Sequence, residues 1–332
     1  MKDVVCTIIT KDYGHYALAL HDSLLENGDN EFFCVFVSDG KLPSSIIEQF
    51  KSRQRVVLIY ENDFDLVELA IQLKKKYKAI NHDAYRWSMK PVFITYLLQN
   101  KFDRVIYVDS DVFFYDKFKF LFEKLDKYSI LLSPHWRSSF PEKDLKNFKL
   151  NFLDGIYNGG FIGASKGGEN ALKYWSQLCL FNCEVNRNEG FYVDQRYLDL
   201  LPTRYDGVGH IIHKGCNVAN WNQEDCKRII QSNGGVLINN KYPIVFIHFT
   251  NSLFKGVYLN KTDETLLPYL EIYRNTLLNY SEIDIVENFL KKGIYVEARK
   301  ESNTPEPIKK NPLRKTAWVV YKKIRQLKRK LF

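Results

Sequence analysis

The stretch Arg104-Val105-Ile106-Tyr107-Val108-Asp109-Ser110-Asp111 decides how this chain is read. Residues 105–108 are a continuous apolar run of the kind that fills a strand buried on both faces, and Val112-Phe113-Phe114 resume it after the acids. Asp109 and Asp111 therefore fall where a buried strand ends, two residues apart, and a turn at that point lets both reach one place. Unpaired carboxylates in apolar surroundings are costly. Two of them facing together suit a hard divalent cation with oxygen ligands, Mn²⁺ or Mg²⁺. In open α/β sheets ligands bind beyond the carboxyl ends of the strands, which is where these acids lie. A short acidic pattern is common by itself, and a solvated strand end is the alternative.

Upstream, residues 4–10 form a short apolar run closed by Lys11-Asp12, and residues 16–25 carry helical spacing through Leu18, Leu20, Leu24 and Leu25. Residues 32–37 and 56–60 read as buried strands, and residues 86–99 have the length and apolar face of a helix. Strands alternating with helices predict a largely parallel sheet whose first third resembles a nucleotide-binding half-domain. Downstream, residues 157–165, 236–239 and 244–248 are strand candidates, while 169–181 and 192–201 are helix candidates. Residues 301–312, with Pro305, Pro307 and Pro312, read as a linker.

The 332 residues, 45% hydrophobic and 26% charged, exclude a disordered chain and favour one large α/β domain over residues 1–300 rather than two small ones. No apolar run is long enough for a membrane span, and the segment after Met1-Lys2-Asp3 turns polar too soon for a signal peptide, so a cytoplasmic protein is expected. Cysteines 6, 34, 179, 183, 216 and 226 contain no CxxC pair and read as free thiols, not as a zinc site.

The formal net charge of +9 invites a nucleic-acid partner, but its distribution argues against one. Residues 307–332 hold ten Lys/Arg and no acid, which leaves 38 basic against 39 acidic residues in the rest of the chain. Within residues 313–332, Leu313, Ala317, Val320, Ile324, Leu327 and Leu331 recur at helical spacing, with Lys315, Lys322, Lys323, Arg325, Lys328, Arg329 and Lys330 around them. This is the pattern of a basic amphipathic helix on an anionic membrane surface. Docking on the body or on a second subunit is the alternative. The expectation is a protein peripheral on the inner face of the plasma membrane, with its oligomeric state left open.

Five further motifs follow one another around the acidic strand. They are Thr7-Ile8-Ile9-Thr10-Lys11-Asp12-Tyr13, Ser88-Met89-Lys90-Pro91, Asn158-Gly159-Gly160-Phe161, Asp194-Gln195, and His248-Phe249-Thr250-Asn251 with Lys255-Gly256. Taken singly each has a plain structural reading: His248 a core histidine, Lys90 the end of a helical face, Asn158 and its glycines a tight turn. In this order, over about residues 3–256, they resemble the GT-A glycosyltransferases, specifically the retaining family 8 group that includes glycogenin and bacterial lipopolysaccharide galactosyltransferases. Asn251 stands where that family commonly has Gly, Gly256 where it has Pro, and Arg196-Tyr197 follow the Asp-Gln pair in place of its acid-rich sequence.

The resemblance implies a GT-A, Rossmann-like mixed sheet flanked by helices, and a metal-dependent transfer of a sugar from a nucleotide-sugar, a UDP-sugar, to a cell-surface polysaccharide or glycolipid. It implies that Thr7, Thr10, Lys11, Asp12 and Tyr13 hold the uridine, that Lys90, Asp109, Ser110, Lys255 and Gly256 meet the rest of the donor nucleotide, and that Asn158 and Gly159 approach the sugar. Asp109, Asp111 and His248 become the metal ligands, and Asp194 and Gln195 border the anomeric centre as catalytic residues. Asn217-Val218-Ala219-Asn220-Trp221-Asn222 resembles a stretch of related bacterial enzymes, which assigns Asn220 and Trp221 to the acceptor. Two readings from other classes remain: a haloacid-dehalogenase-like phosphatase with Asp109 as nucleophile, and a non-catalytic nucleotide-sugar binding protein.

Overall fold

Alternate residues of the first strand enter different cores. In β1 (Asp3–Ile9), Val4, Cys6 and Ile8 join one buried cluster and Val5 and Ile9 the other. Both faces of the sheet are therefore covered, which is why its strands read as unbroken apolar runs. The computed structural model describes residues 1–259 and 262–288. Residues Met1–Val286 form one compact unit, whereas the expected linker 301–312 and basic helix 313–332 lie outside the described residues. No helix among the described residues is long and apolar enough to cross a membrane.

After β1 come α1 (Gly14–Asn27), β2 (Phe32–Val37), α2 (Ser44–Lys51), β3 (Val56–Tyr60), α3 (Glu68–Tyr77), α4 (His82–Asn100) and β4 (Arg104–Val108). Next are β5 (Val112–Phe114), α5 (Lys119–Lys124), β6 (Ile130–Pro134), α6 (Leu145–Leu153), β7 (Tyr157–Ser165) and α7 (Glu169–Phe181). A two-stranded ribbon, β8 (Val185–Asn186) and β9 (Phe191–Tyr192), precedes β10 (Val208–His210). A small antiparallel sheet of β11 (Arg228–Ile230), β12 (Val236–Ile238) and β13 (Tyr242–Pro243) follows. The described chain ends with β14 (Phe246–His248), α8 (Asn251–Phe254) and α9 (Leu267–Leu278) and the few residues after it.

Seven strands make the main sheet in the order β10-β6-β7-β4-β1-β2-β3. Strands β4, β1, β2 and β3 run parallel, but β7 lies antiparallel between β4 and β6, so the sheet is mixed as the family resemblance implies. Helices α3, α4 and α7 cover one face through Leu73, Phe93, Leu97 and Trp175; α1 and α5 cover the other through Leu18, Leu20 and Phe122.

Two sequence expectations shift. The helix expected at 192–201 is a run of tight 3₁₀ turns over Gln195–Thr203. It starts late because Val193 sits at a φ of 45°, a left-handed conformation that a β-branched residue resists. Helix α4 begins before residue 86 because Asn81 caps it, its side-chain oxygen accepting from the Ala84 amide at 3.0 Å. Pro91 lies inside this helix with no break. Since α4 carries Lys90 to the site, its cap bears on function. Asn81→Ala should cost about 1 kcal/mol in urea unfolding followed by circular dichroism, the usual worth of such a cap.

Candidate active site

Strand β4 ends at Val108, and the chain turns at once: the Val112 amide donates to the Asp109 carbonyl at 3.1 Å, and β5 then leaves antiparallel to β14. This turn places Asp109 and Asp111 beside His248, the last residue of β14. One ligand atom from each of the three lies within 4.8 Å of the other two. His248 Nε2 stands 3.1 Å from Asp111 Oδ1 and 4.0 Å from Asp109 Oδ2. Two carboxylate oxygens and one imidazole nitrogen form a donor set that fits Mn²⁺ or Mg²⁺. The backbone beneath is tight. A Cβ on Gly160 would lie 2.4 Å from His248 Cε1, so only glycine lets β7 pass under the imidazole.

Lys90 reaches this cluster from α4. Its ammonium donates to the Gly159 carbonyl at 2.8 Å, lies 3.1 Å from Asp109 Oδ1 and 3.5 Å from Asp194 Oδ2, and is only 3% exposed. Burial lowers the pKa of Lys90, but Asp109 and Asp194 outweigh it and leave the ammonium firmly protonated. For Asp109, burial raises the pKa, while Lys90, His248 and the Tyr107 hydroxyl, which donates to Oδ1 at 2.7 Å, bring it below the ordinary carboxyl value. Burial dominates at Asp194 and pushes its pKa up to about 6 in spite of Lys90. The two acids on one lysine thus differ in strength.

Gln195 is committed on both sides of its amide. Its Oε1 accepts from the Gly159 amide at 3.0 Å and from Asn158 Nδ2 at 3.3 Å, and its Nε2 donates to the Asp154 carbonyl at 2.9 Å. Asn158 Oδ1 in turn accepts from the Gly160 amide and from Asn217 Nδ2. Gly159 borders Asp194, whose carboxylate oxygen would lie 3.1 Å from a Cβ there. Trp221 stands edge-on to His248 and to His135, with ring centroids 5.3 and 5.4 Å away. Its buried indole N–H has no acceptor among the described residues. Asn220 Oδ1 accepts from the Thr250 hydroxyl at 3.3 Å, which ties that loop to the segment after His248.

Other residues named from sequence fall farther out. Thr7 is fully buried within β1. Thr10 is half-buried; Lys11, Asp12 and Tyr13 are exposed on the turn that follows, where the Lys11 amide donates to Asp39 Oδ1 and Tyr13 stacks on Tyr16 at 4.9 Å. Ser110 is buried in the acidic turn. Lys255 is exposed and Gly256 buried at the exit of α8.

Four contributors were not read from the sequence. Arg86, one turn before Lys90 on α4, has its pKa raised by Asp109 against the effect of burial. Its Nε is buried without a hydrogen bond among the described residues. Spacing at i, i+4 from Lys90 was the available signal. Trp175 of α7 donates its indole N–H to the Asp194 carbonyl at 2.8 Å and fixes the turn after Val193. Arg228 and Asp263 pair in near-complete burial at 3.1 Å, and Arg228 also donates to the Ala219 carbonyl and Asn222 Oδ1, bracing the Trp221 loop. No local sequence pattern announces those contacts.

No protein-family model matches the chain. It is 28% identical over 293 residues to the uncharacterized protein YfnF of Bacillus subtilis (strain 168), covering 83% of this chain and 92% of that one. Among solved structures it is similar to the apo form of the bifunctional glycosyltransferase WbbM, with a TM-score of 0.52 at 13% identity over 87% of this chain and 51% of that one. It also matches the galactosyltransferase LgtC in complex with donor and acceptor sugar analogs, with a TM-score of 0.47 at 14% identity over 82% of this chain and 95% of that one. With the mixed seven-stranded sheet, the likeness to WbbM shows a GT-A-like fold.

The close approach of Gly160 to His248 gives a direct check on whether Asp109, Asp111 and His248 together bind a cation. Gly160→Ala should displace the imidazole and abolish stabilisation by Mn²⁺ in a thermal melt, with the far-ultraviolet circular dichroism of the folded protein retained.

Proposed function

We propose that this protein is a metal-dependent glycosyltransferase that moves a sugar, with retention, from a UDP-sugar to a saccharide or glycolipid acceptor of the cell surface. The observation that carries the proposal is the meeting of Asp109, Asp111 and His248 at the carboxyl end of β4, with buried Lys90 and Asp194 directly behind them. Asp109, Asp111 and His248 would hold a divalent cation, which when bound would supply positive charge against the departing diphosphate. The rest is done by the chain itself. Arg86, with an unused N–H beside Asp109, is placed to bind a phosphate oxygen. The exposed ring of Tyr13, backed by Tyr16, offers a face to the base. Lys255 and Gly256, after α8, are the proposed closing contacts on the diphosphate.

Asn158 and Gln195 use their amides on each other and on the backbone of β7 and of Asp154, so their part is to hold the floor of the sugar pocket. Asp194 then remains to accept hydroxyl groups of the donor sugar, and a glutamine amide so engaged is not a nucleophile. In the transfer, the acceptor oxygen bonds to the anomeric carbon, the bond to the diphosphate breaks, and the acceptor's proton passes to the leaving phosphate oxygen. Trp221, beside His248, supplies the apolar wall on the acceptor side. The near-neutral body with a basic end supports a cytoplasmic protein peripheral on the inner face of the plasma membrane, held through residues 313–332. A phosphatase using Asp109 leaves no role for His248, and a mere binder leaves none for the paired acids of different strength.

Three measurements test this. UDP with Mn²⁺ should raise the melting temperature where UDP alone or GDP, CDP and CMP with Mn²⁺ do not. Asp111→Ala should remove that shift and lower transfer on the order of 10²–10³-fold with the fold intact; unchanged activity would refute the metal role. The pH profile tests Asp194. Its raised pKa means it is protonated below about 6 and charged above, and a nearby cation draws the inflection lower. Transfer should therefore fall about tenfold per pH unit on the acid side of that inflection, and Asp194→Asn should be slow at every pH and lack this limb.

A further inference from the structure

Helix α6 is built inside out. None of its nine residues, Leu145–Leu153, is buried, although Leu145, Phe148, Leu150, Phe152 and Leu153 are large and apolar. The side chains that hold it to the body are its asparagines. Asn147 Nδ2 donates to the Trp221 carbonyl at 3.1 Å and its Oδ1 accepts from the Ser138 amide at 2.7 Å; Asn151 Nδ2 donates to the Ser138 carbonyl at 3.2 Å. At helical periodicity Asn147 and Asn151 share one side, and Leu145, Lys149 and Phe152 share the opposite side. Leu145 is 52% exposed and Phe152 63% exposed. Leu153 is also exposed, Phe148 sets its ring edge against Phe152 at 5.4 Å, and Lys146 and Lys149 are exposed among them. Exposed Phe140, with the Lys143 ammonium over its ring at 5.2 Å, and exposed Ile156 flank the helix in sequence.

A helix on the surface of a protein in water turns its apolar stripe to the core. Here the polar stripe faces the core and the apolar one faces outward, interspersed with lysines. We propose that α6 is a docking surface for an anionic lipid bilayer, lying in the interface with Leu145, Phe152 and Leu153 below the headgroups and Lys143, Lys146 and Lys149 on the lipid phosphates. Charge selects this occupant. Asp144 is used as the helix cap, its side chain accepting from the Asn147 amide, and Asp154 is held between Arg137 and Arg187. The outward face of the helix therefore carries cations and no acid of its own, the nearest exposed acid in sequence being Glu142 before the cap. A second copy of the same face would set lysine against lysine. Lysine stems also lie along apolar surface while their ammonium groups reach the phosphates.

The position of the helix gives the docking a purpose, and this step rests on the glycosyltransferase reading. Asn147 holds the Trp221 carbonyl, and Asp154, directly after α6, holds the Gln195 amide. A bilayer on α6 would thus meet the protein beside the proposed acceptor wall, as an acceptor carried on lipid requires. The surface is separate in sequence from residues 313–332.

The test uses the full chain and vesicles of phosphatidylcholine with about one third phosphatidylglycerol. Leu145→Gln/Phe152→Gln/Leu153→Gln should lower partitioning onto these vesicles about tenfold, with unchanged thermal melting. The comparison is repeated with Lys322, Lys323, Lys328 and Lys330 changed to Gln, so that the basic end does not mask the effect. Because all six native cysteines are buried, a polarity-sensitive dye on Phe152→Cys reports on α6 alone and should shift to the blue when anionic vesicles are added. Unchanged partitioning in both backgrounds, or an unshifted dye, overturns the proposal. So does loss of a dimer in sedimentation with vesicle binding intact, which would make α6 a contact between copies. None of these readouts depends on nucleotide or on turnover, so failure of the glycosyltransferase reading would show separately, as absent stabilisation by UDP and Mn²⁺.

Discussion

A single buried ammonium, that of Lys90, sets the terms for the rest of the molecule. Taking a charge out of water costs several kcal/mol even after relaxation, so acceptors must be fixed around it on every side. They come from three other parts of the chain: Gly159 from β7, Asp109 from the turn after β4, and Asp194 from the segment behind α7. Burying one charge therefore fixes the register of α4 over the sheet and the position of both acids. It also accounts for the glycine at 159, where a side chain would crowd the Asp194 carboxylate. The two hydrophobic cores make this possible by packing both faces of the sheet, so that the polar cluster can sit at the edge of one without loosening it.

Around that ammonium the polar groups are linked by a chain of hydrogen bonds. Asp263 pairs with Arg228, Arg228 holds Asn222, Asn222 donates to the Asn217 carbonyl, and Asn217 donates to Asn158, which reaches Gln195. Low dielectric strengthens such a network when it is complete and penalises it when it is not. Trp221 is carried on the loop inside this chain, so its place beside His248 is set from two directions: by Arg228 on one side and by Asn147 of α6 on the other. The Trp221 indole N–H, Asn217 Oδ1 and His248 Nδ1 are buried there without a hydrogen-bond partner among the described residues, so the unpaired polar atoms gather around the acidic turn and the Trp221 loop.

How far the sequence could be read follows from how local each signal is. The alternation of strands and helices and the acidic turn were legible because burial on both faces leaves unbroken apolar runs, and because two carboxylates after such a run have few neutral explanations. Antiparallel β7 was not legible from pattern, since a strand buried on both faces reads the same in either direction. Helix α6 was missed for a different reason: its stripe points outward, and the expectation that apolar residues face a core gave it no place. Trp175 and Arg228 act through a single bond to a distant backbone carbonyl, and no spacing rule encodes such a bond. Gln195 could be found by motif, but only its neighbours show that both halves of its amide are already occupied.

The arrangement is poor engineering for stability alone. Replacing a buried ion cluster with well-packed apolar groups is often neutral or stabilising, and Val193 adds a strained left-handed residue immediately before Asp194. Both departures concentrate at one point, the carboxyl end of β4, while the two cores on either side follow ordinary packing rules. Their shared consequence is a pair of acids unequal in strength. Against the effect of burial, Lys90 and His248 hold Asp109 below the ordinary carboxyl value, whereas burial pushes Asp194 up to about 6 in spite of the same lysine. A fold that needed only to be stable would have made these two positions alike; here their difference is maintained by the depth of one carboxylate and the company of the other.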